Sequence, residues 1–291
     1  MYQVRTDLAL ETKEKFEEDH VEIKGVRIKE EEKGENIKVT EVLIETENGA
    51  KAMGKPKGSY ITIEAPEMAD GDEGYHREIS EELANVLKDM IPTEKEDLSI
   101  LVVGLGNREV TPDALGPRVV DNILITRHVI REFGKYALGS EHSSSISSIV
   151  PGVMAQTGME SLEIIRGIIK ETTPDYIIAV DALAARSVKR LNRTIQITNT
   201  GINPGSGIGN HRHGLNEESV GVPVIAIGIP TVVDAATIVN DAISGFYEEA
   251  DCTLNSFFVT PKDIDESIKR LSFTISEGLN IAFEKETCTN S

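Results

Sequence analysis

Apolar and polar side chains alternate from Val21 to Ile28 (VEIKGVRI) and again from Ile37 to Ile44 around Val39 and Val42, with the polar run EEEKGEN between them. Alternation with period two gives a strand one apolar and one polar face, so this stretch predicts a β-hairpin. A further strand, Tyr60 to Ile63, follows the turn-rich KPKGS. The period then changes. From Glu78 to Met90 the residues Ile79, Leu83, Val86, Leu87 and Met90 recur at helical spacing, which predicts a helix that Pro92 ends.

From Leu98 onward short apolar runs alternate with helical patterns. Ser99 to Val103 is an apolar run that stops at Gly104, Leu105, Gly106 and Asn107, as a central strand stops at its carboxyl edge. Gly116 to Ile130 predicts one helix, and Gly139 to Ser148 a Gly/Ser-rich loop. IVPGV (Ile149 to Val153) reads as a strand entering a turn, and Ser161 to Lys170 as a helix with Leu162, Ile165, Ile168 and Ile169 inward. Tyr176 to Val180, Thr194 to Ile197 and Val222 to Ile227 predict strands, and Val232 to Ile243 and Ile264 to Ala282 helices. The expected fold is α/β, a mixed or mostly parallel central sheet with helices on both faces, plus an amino-terminal β-hairpin region.

Composition narrows the function. With 39% hydrophobic residues, 4% aromatic and no tryptophan in 291 residues, the interior is aliphatic. A formal charge of -19, from 49 acidic and 30 basic residues, argues against nucleic acid or an anionic membrane as a direct partner. The start MYQVRTDLALE lacks a basic-then-apolar signal, and no apolar run approaches the roughly 18 residues of a membrane span. A soluble cytoplasmic protein is expected. Cys252 and Cys288 lack metal or redox spacing and read as reduced thiols.

Two carboxylates stand out. Asp113 in TPDALGP follows a proline at the start of a predicted helix, where free N–H groups and the macrodipole favour a charged carboxylate; it either caps the helix or does chemistry. Asp181 in DALAARS is delivered by the apolar run Tyr176 to Val180, where a charge at the edge of a core is costly unless it is paired or used. Arg186 is a candidate partner. Two carboxylates in one cleft can divide the labour of amide hydrolysis, one activating water and the other protonating the leaving amine. Strand ends in α/β sheets are where ligands collect, and both residues follow such ends.

Weaker signals remain. GLGN, Gly104 to Asn107, lacks the third glycine of a dinucleotide fingerprint, since position 109 is glutamate. PGSGIGNHRHG, Pro204 to Gly214, carries His211 and His213 with no third metal ligand at recognisable spacing. No cofactor or metal is therefore expected, and the loop reads as solvated or substrate-facing. Two alternatives stay open: a metal-dependent endopeptidase with the same carboxylates as ligands, and a non-catalytic nucleotide- or partner-binding module resting on GLGN and the glycine loop.

Taken together, VRTDLALE, LVVGLGNREVTPDALGPRVVDNILITRH, SIVPGVMAQTG, PDYIIAVDALAARS, GINPGSGIGN and GVPVIAIGIPTVVDA resemble the germination protease, or spore protease, family, which is related in fold to the hydrogenase-maturation endopeptidases. The resemblance implies an endopeptidase that degrades small acid-soluble spore proteins during germination in the spore core, with Asp113 and Asp181 catalytic. It implies a zymogen that cuts itself between Asp7 and Leu8, leaving residues 1 to 7 as a propeptide. Residues 8 to 291 would then form one peptidase domain with a β-rich appendage at about 20 to 65. Asn107, Arg186, Gly205 and Gly207 are expected to support the site or face substrate, and a homo-oligomer, a tetramer in relatives, is expected.

Overall fold

The computed structural model describes residues 6–18, 23–34, 36–91, 98–138, 144–203, 214–243 and 257–283. In chain order the elements are α1 (Ala9–Glu18), β1 (Val26–Lys33), β2 (Ile37–Ile44), α2 (Glu47–Met53), β3 (Gly58–Glu64) and α3 (Glu73–Met90). Next come β4 (Ser99–Gly104), a 3-10 turn (Thr111–Asp113), α4 (Leu115–Asn122), α5 (Arg127–Phe133), β5 (Ser145–Ile149), α6 (Met154–Thr157) and α7 (Ser161–Thr172). The remainder is β6 (Tyr176–Ala185), β7 (Thr194–Thr198), α8 (Glu217–Val220), β8 (Val224–Asp234), α9 (Ala235–Ile243), β9 (Phe258–Val259) and α10 (Ile264–Phe283).

The described strands form one nine-stranded mixed sheet in the order β1-β2-β3-β7-β8-β6-β4-β5, with β9 added antiparallel to the end of β8. Pairs β5/β4, β4/β6 and β6/β8 are parallel; β8/β7, β7/β3, β3/β2 and β2/β1 are antiparallel. The expected α/β class therefore holds. The amino-terminal hairpin is continuous with the main sheet through β3 and β7.

Both faces of the centre are buried, which explains the apolar runs. Ile100 and Val102 on β4 and Ile178 and Val180 on β6 face the layer of α3, α4 and α10, while Leu101, Val103, Ile177 and Ala179 face α7. Alternate residues of each strand thus feed opposite cores. Helix α3 begins at Glu73, earlier than the apolar spacing indicates, because Asp72 caps it by accepting the Tyr75 N–H.

The boundaries that differ from expectation have tertiary causes. The predicted helix from Gly116 to Ile130 divides into α4 and α5. Between them Thr126 binds the edge of β5, its hydroxyl donating to Ser144 O at 2.6 Å and accepting Ile146 N at 2.8 Å, and helix continuity yields to those bonds. Ser145–Ile149, part of which reads as loop, is a strand: its backbone pairs with β4 and the serines occupy a sheet edge. Strand β8 continues to Asp234, so α9 starts at Ala235, after pairing to β6 and β9 has ended. Helices α1 and α2 carry weak apolar spacing; Thr46 caps α2 at its start and Gly54, at φ 62°, ends it. Pro92, Val21, Cys252 and Cys288 lie outside the described residues.

Strand β6 does not stop at Asp181. It runs on to Ala185, whereas its partner β4 ends opposite Val180. Helix α4 is laid across this step with almost no space. A Cβ on Gly116 would come within 2.4 Å of both Leu105 O and Val180 O, and one on Gly104 within 2.3 Å of Gly116 O. These contacts are backbone against backbone and cannot be relieved by a rotamer change. Gly116→Ala is therefore expected to destabilise the fold by about 2–3 kcal/mol, read as a lowered midpoint in urea unfolding at unchanged slope.

Candidate active site

The carboxyl ends of β4, β6 and β8 lie side by side, and the loop after β4 closes over them. Gly106 has φ 110°, and a side chain there would meet Asp113 O at 2.0 Å. This close approach brings Asp113 back onto the strand end: the Asn107 N–H donates to Asp113 Oδ2 at 2.8 Å and lies 3.1 Å from Asp113 O. Asn107 Oδ1 accepts the Glu109 N–H at 3.1 Å, bracing the same turn. Thr231 on β8 donates its hydroxyl to Pro112 O at 2.7 Å and so ties the turn to a third strand. The glycines of GLGN serve this folding-back of the chain.

Asp181 is 5% exposed and stands one residue beyond the last β4/β6 pair, opposite Gly228 of β8. Its Oδ1 accepts the Ala182 N–H at 2.9 Å. By strand alternation its side chain shares a face with Ala179 and Leu183, the α7 side, whereas α4 packs on the other. Asp113, in the turn that follows β4, and Asp181, on β6, thus both lie at the ends of neighbouring parallel strands.

Past β4, one edge of β6 has lost its neighbour, and the amino-terminal segment takes that place. Asp7 N donates to Ala184 O at 3.1 Å, and the Ala184 N–H donates to Asp7 Oδ2 at 2.9 Å. Leu8 is 0% exposed among Leu183, Ala185, Leu191 and Val233, and Ala9 is buried against Val42, Ile44, Met53 and Tyr60. Enclosing Leu8 alone contributes roughly 2 kcal/mol to holding the segment. Glu11, one turn along, accepts the N–H groups of Arg186 and Ser187 at 2.8 and 2.9 Å, and Thr6 donates its hydroxyl to the same carboxylate.

A buried guanidinium fixes this arrangement. Arg190 lies 2.7 Å from Glu64, 2.5 Å from Glu14 and 3.7 Å from Glu11. Burial works against its charge, but Glu64, Glu14 and Glu11 outweigh burial and raise its pKa above the ordinary value. Lys55 and Gln196 complete the surroundings by donating to Asp7 O. Burial pushes the Lys55 ammonium below its usual 10.5, opposed by the charges of Asp7 and Glu11.

The expected residues are thus distributed as follows. Asp113 and Asn107 share one turn, and Asp181 and Arg186 lie on and just after β6, where Arg186 contributes its backbone N–H to Glu11. Asp7 and Leu8 lie against the same strand. Gly205, Gly207, His211 and His213 fall outside the described residues. Among the described residues no three His, Cys, Asp or Glu side chains gather as a metal site, and no helix is long and apolar enough to cross a membrane. Sequence reading missed Glu11, Lys55, Arg190 and Gln196. Only Gln196 carried a signal, as a polar residue at the centre of the buried strand TIQIT.

An α/β sheet that grips a stretch of polypeptide at its strand ends, on both sides of one peptide bond and beside buried and hydrogen-bonded carboxylates, has the make-up of a peptidase. Residues 4–251 match the family model described as germination protease. The germination protease of Caldanaerobacter subterraneus subsp. tengcongensis is 46% identical over 311 residues, covering 97% of this chain and 94% of that one. That of Clostridium perfringens strain ATCC 13124 is 43% identical, over 98% and 96%, and that of Priestia megaterium 49% identical, over 83% and 66%. The chain belongs to the germination protease family and is a peptidase.

Removing the guanidinium would take away the cation that lies 3.7 Å from the buried Glu11. Arg190→Met is expected to lower the unfolding free energy by about 3 kcal/mol, measured by urea denaturation. A loss below about 1 kcal/mol would mean that Arg190 does not hold the amino-terminal segment to β6.

Proposed function

We propose that this chain is the precursor of an endopeptidase that cuts its own Asp7–Leu8 bond and uses Asp113 and Asp181 as an acid and base pair. The observation that carries the reading is the grip on that one bond: Asp7 is hydrogen-bonded to β6 through its backbone and side chain, and Leu8 is sunk in an apolar pocket on the same face as Asp181. A bond held on both sides in a strand-end cleft is presented for attack. In the proposed step one carboxylate, ionised, takes a proton from the attacking water. The other, protonated, gives one to the departing amine.

The retained part of the chain begins at the buried residues Leu8, Ala9 and Glu11, which supports a short propeptide of residues 1 to 7. Carboxylates seat this segment, through Asp7 on Ala184 and Glu11 on Arg186 and Ser187. Membership of the germination proteases supports small acid-soluble spore proteins as substrates, action in the spore core at germination, and assembly as a homotetramer.

Incubating the full chain at mildly acidic pH and reading the new amino terminus tests the proposal, with Leu8 expected. Asp113→Asn and Asp181→Asn, each first shown to be folded by circular dichroism, are expected to slow both self-cleavage and turnover of a Glu-Ile-Ala peptide by about 10²–10⁴-fold. Full activity in either variant removes that aspartate from the mechanism.

A further inference from the structure

Two side chains converge on a single backbone oxygen. The carbonyl oxygen of Asp7, part of the peptide group joining Asp7 to Leu8, accepts from Lys55 Nζ at 2.9 Å and from Gln196 Nε2 at 3.0 Å. Gln196 also bridges the bond, because its Oε1 accepts the Ala9 N–H at 2.7 Å. The Leu8 N–H, on the amine side, lies 3.0 Å from Thr6 Oγ1.

Neither donor is cheap to place. Gln196 is 7% exposed in β7, between Ile195 and Ile197, which face the apolar layer of α3 and α10. An amide there is costly unless both its ends are bonded, and Asp7 and Ala9 bond both ends. Lys55 is set by the end of α2: Gly54 takes up the left-handed conformation and Lys55 N donates back to Ala50 O at 3.2 Å. Its ammonium lies 5.9 Å from the centre of the Tyr60 ring, and Tyr60 is fixed in turn by its hydroxyl on Pro56 O. Lys55 is half-buried and faces Asp7 and Glu11, so its charge is both desolvated and aimed.

We propose that Lys55 and Gln196 are catalytic residues that form an oxyanion hole for cleavage of the Asp7–Leu8 bond. This assignment rests on the reading of that bond as the scissile one. In the step, the oxygen of water bonds to the Asp7 carbonyl carbon and passes a proton to the ionised carboxylate. The carbonyl π pair moves onto the oxygen, where the Lys55 ammonium and the Gln196 N–H meet the new negative charge. Collapse restores the C=O bond and breaks the C–N bond, whose electron pair leaves with the Leu8 nitrogen as that atom takes the proton of the second carboxyl. The products are the Asp7 α-carboxylic acid, which then gives its remaining proton to solvent to become the carboxylate, and the Leu8 amine. Donors already at 2.9 and 3.0 Å in the uncut chain need no rearrangement as the charge develops, which is how fixed donors lower a barrier.

The test uses the full-length chain and follows the rate at which product beginning at Leu8 forms. Lys55→Met and Gln196→Met are each expected to slow it by about 10²–10³-fold, and Lys55→Arg to recover part of the loss. Amide hydrogen exchange at Ala184, Arg186 and Ser187, read before cleavage has progressed, reports whether the segment is still seated. Protection as in the wild type alongside slow cleavage supports the assignment. Cleavage of Lys55→Met at the wild-type rate overturns it, and so does loss of protection in that variant, which would make Lys55 a clamp. A wild-type product beginning at a residue other than Leu8 removes the scissile-bond reading and the assignment with it. Equal rates of a Leu8 product in wild type and both methionine variants remove the assignment alone.

Discussion

Strand β6 outruns β4, and the unfinished edge this leaves is the constraint on which the rest of the site depends. Buried backbone groups must be hydrogen-bonded, and beyond Val180 no strand among the described residues pairs with that side of β6 to do it. The chain's own start fills the gap: Asp7 serves both polar groups of Ala184, and Glu11 serves Arg186 and Ser187. The Asp7 backbone N–H and the Asp7 and Glu11 carboxylates thus complete what a strand would otherwise have completed.

That solution places acidic groups at the margin of an apolar core, and their charge has to be balanced. Arg190, drawn close to Glu11, Glu14 and Glu64, does so from the turn after β6. Lys55 does so from just after the end of α2. The amino-terminal hairpin region accordingly has two roles. It lengthens the sheet, and through β3 and α2 it supplies Glu64 and Lys55 to the neighbourhood of the Asp7–Leu8 bond.

Glycine does the corresponding work on the other side of the step. Gly104, Gly106 and Gly116 let the 3-10 turn and α4 approach the ends of β4 and β6 at distances that any Cβ would forbid. Asp113 is consequently held by the Asn107 N–H at the edge of the sheet, instead of projecting from a distant helix start. A glycine pattern that invites comparison with a nucleotide loop is here absorbed by chain-to-chain contact, a use equally consistent with its spacing.

The sequence by itself determined what local periodicity and side-chain chemistry determine. The apolar runs at Ser99 to Val103 and Tyr176 to Val180 are strands because both of their faces are buried, and the helical spacing around Ile79, Leu83 and Leu87 survives as α3 because its apolar stripe meets the sheet. The motifs around Asp113 and Asp181 were legible for their unusual neighbours. Tertiary structure decided the rest: that α4 stops where Thr126 prefers the edge of β5, that β6 continues past Asp181, and that Lys55, Gln196, Glu11 and Arg190 meet around Asp7 and Leu8. Those four come from α1, the end of α2, β7 and the turn after β6. Each residue type is ordinary at its own position, and contacts between groups far apart along the chain leave no periodic trace in it.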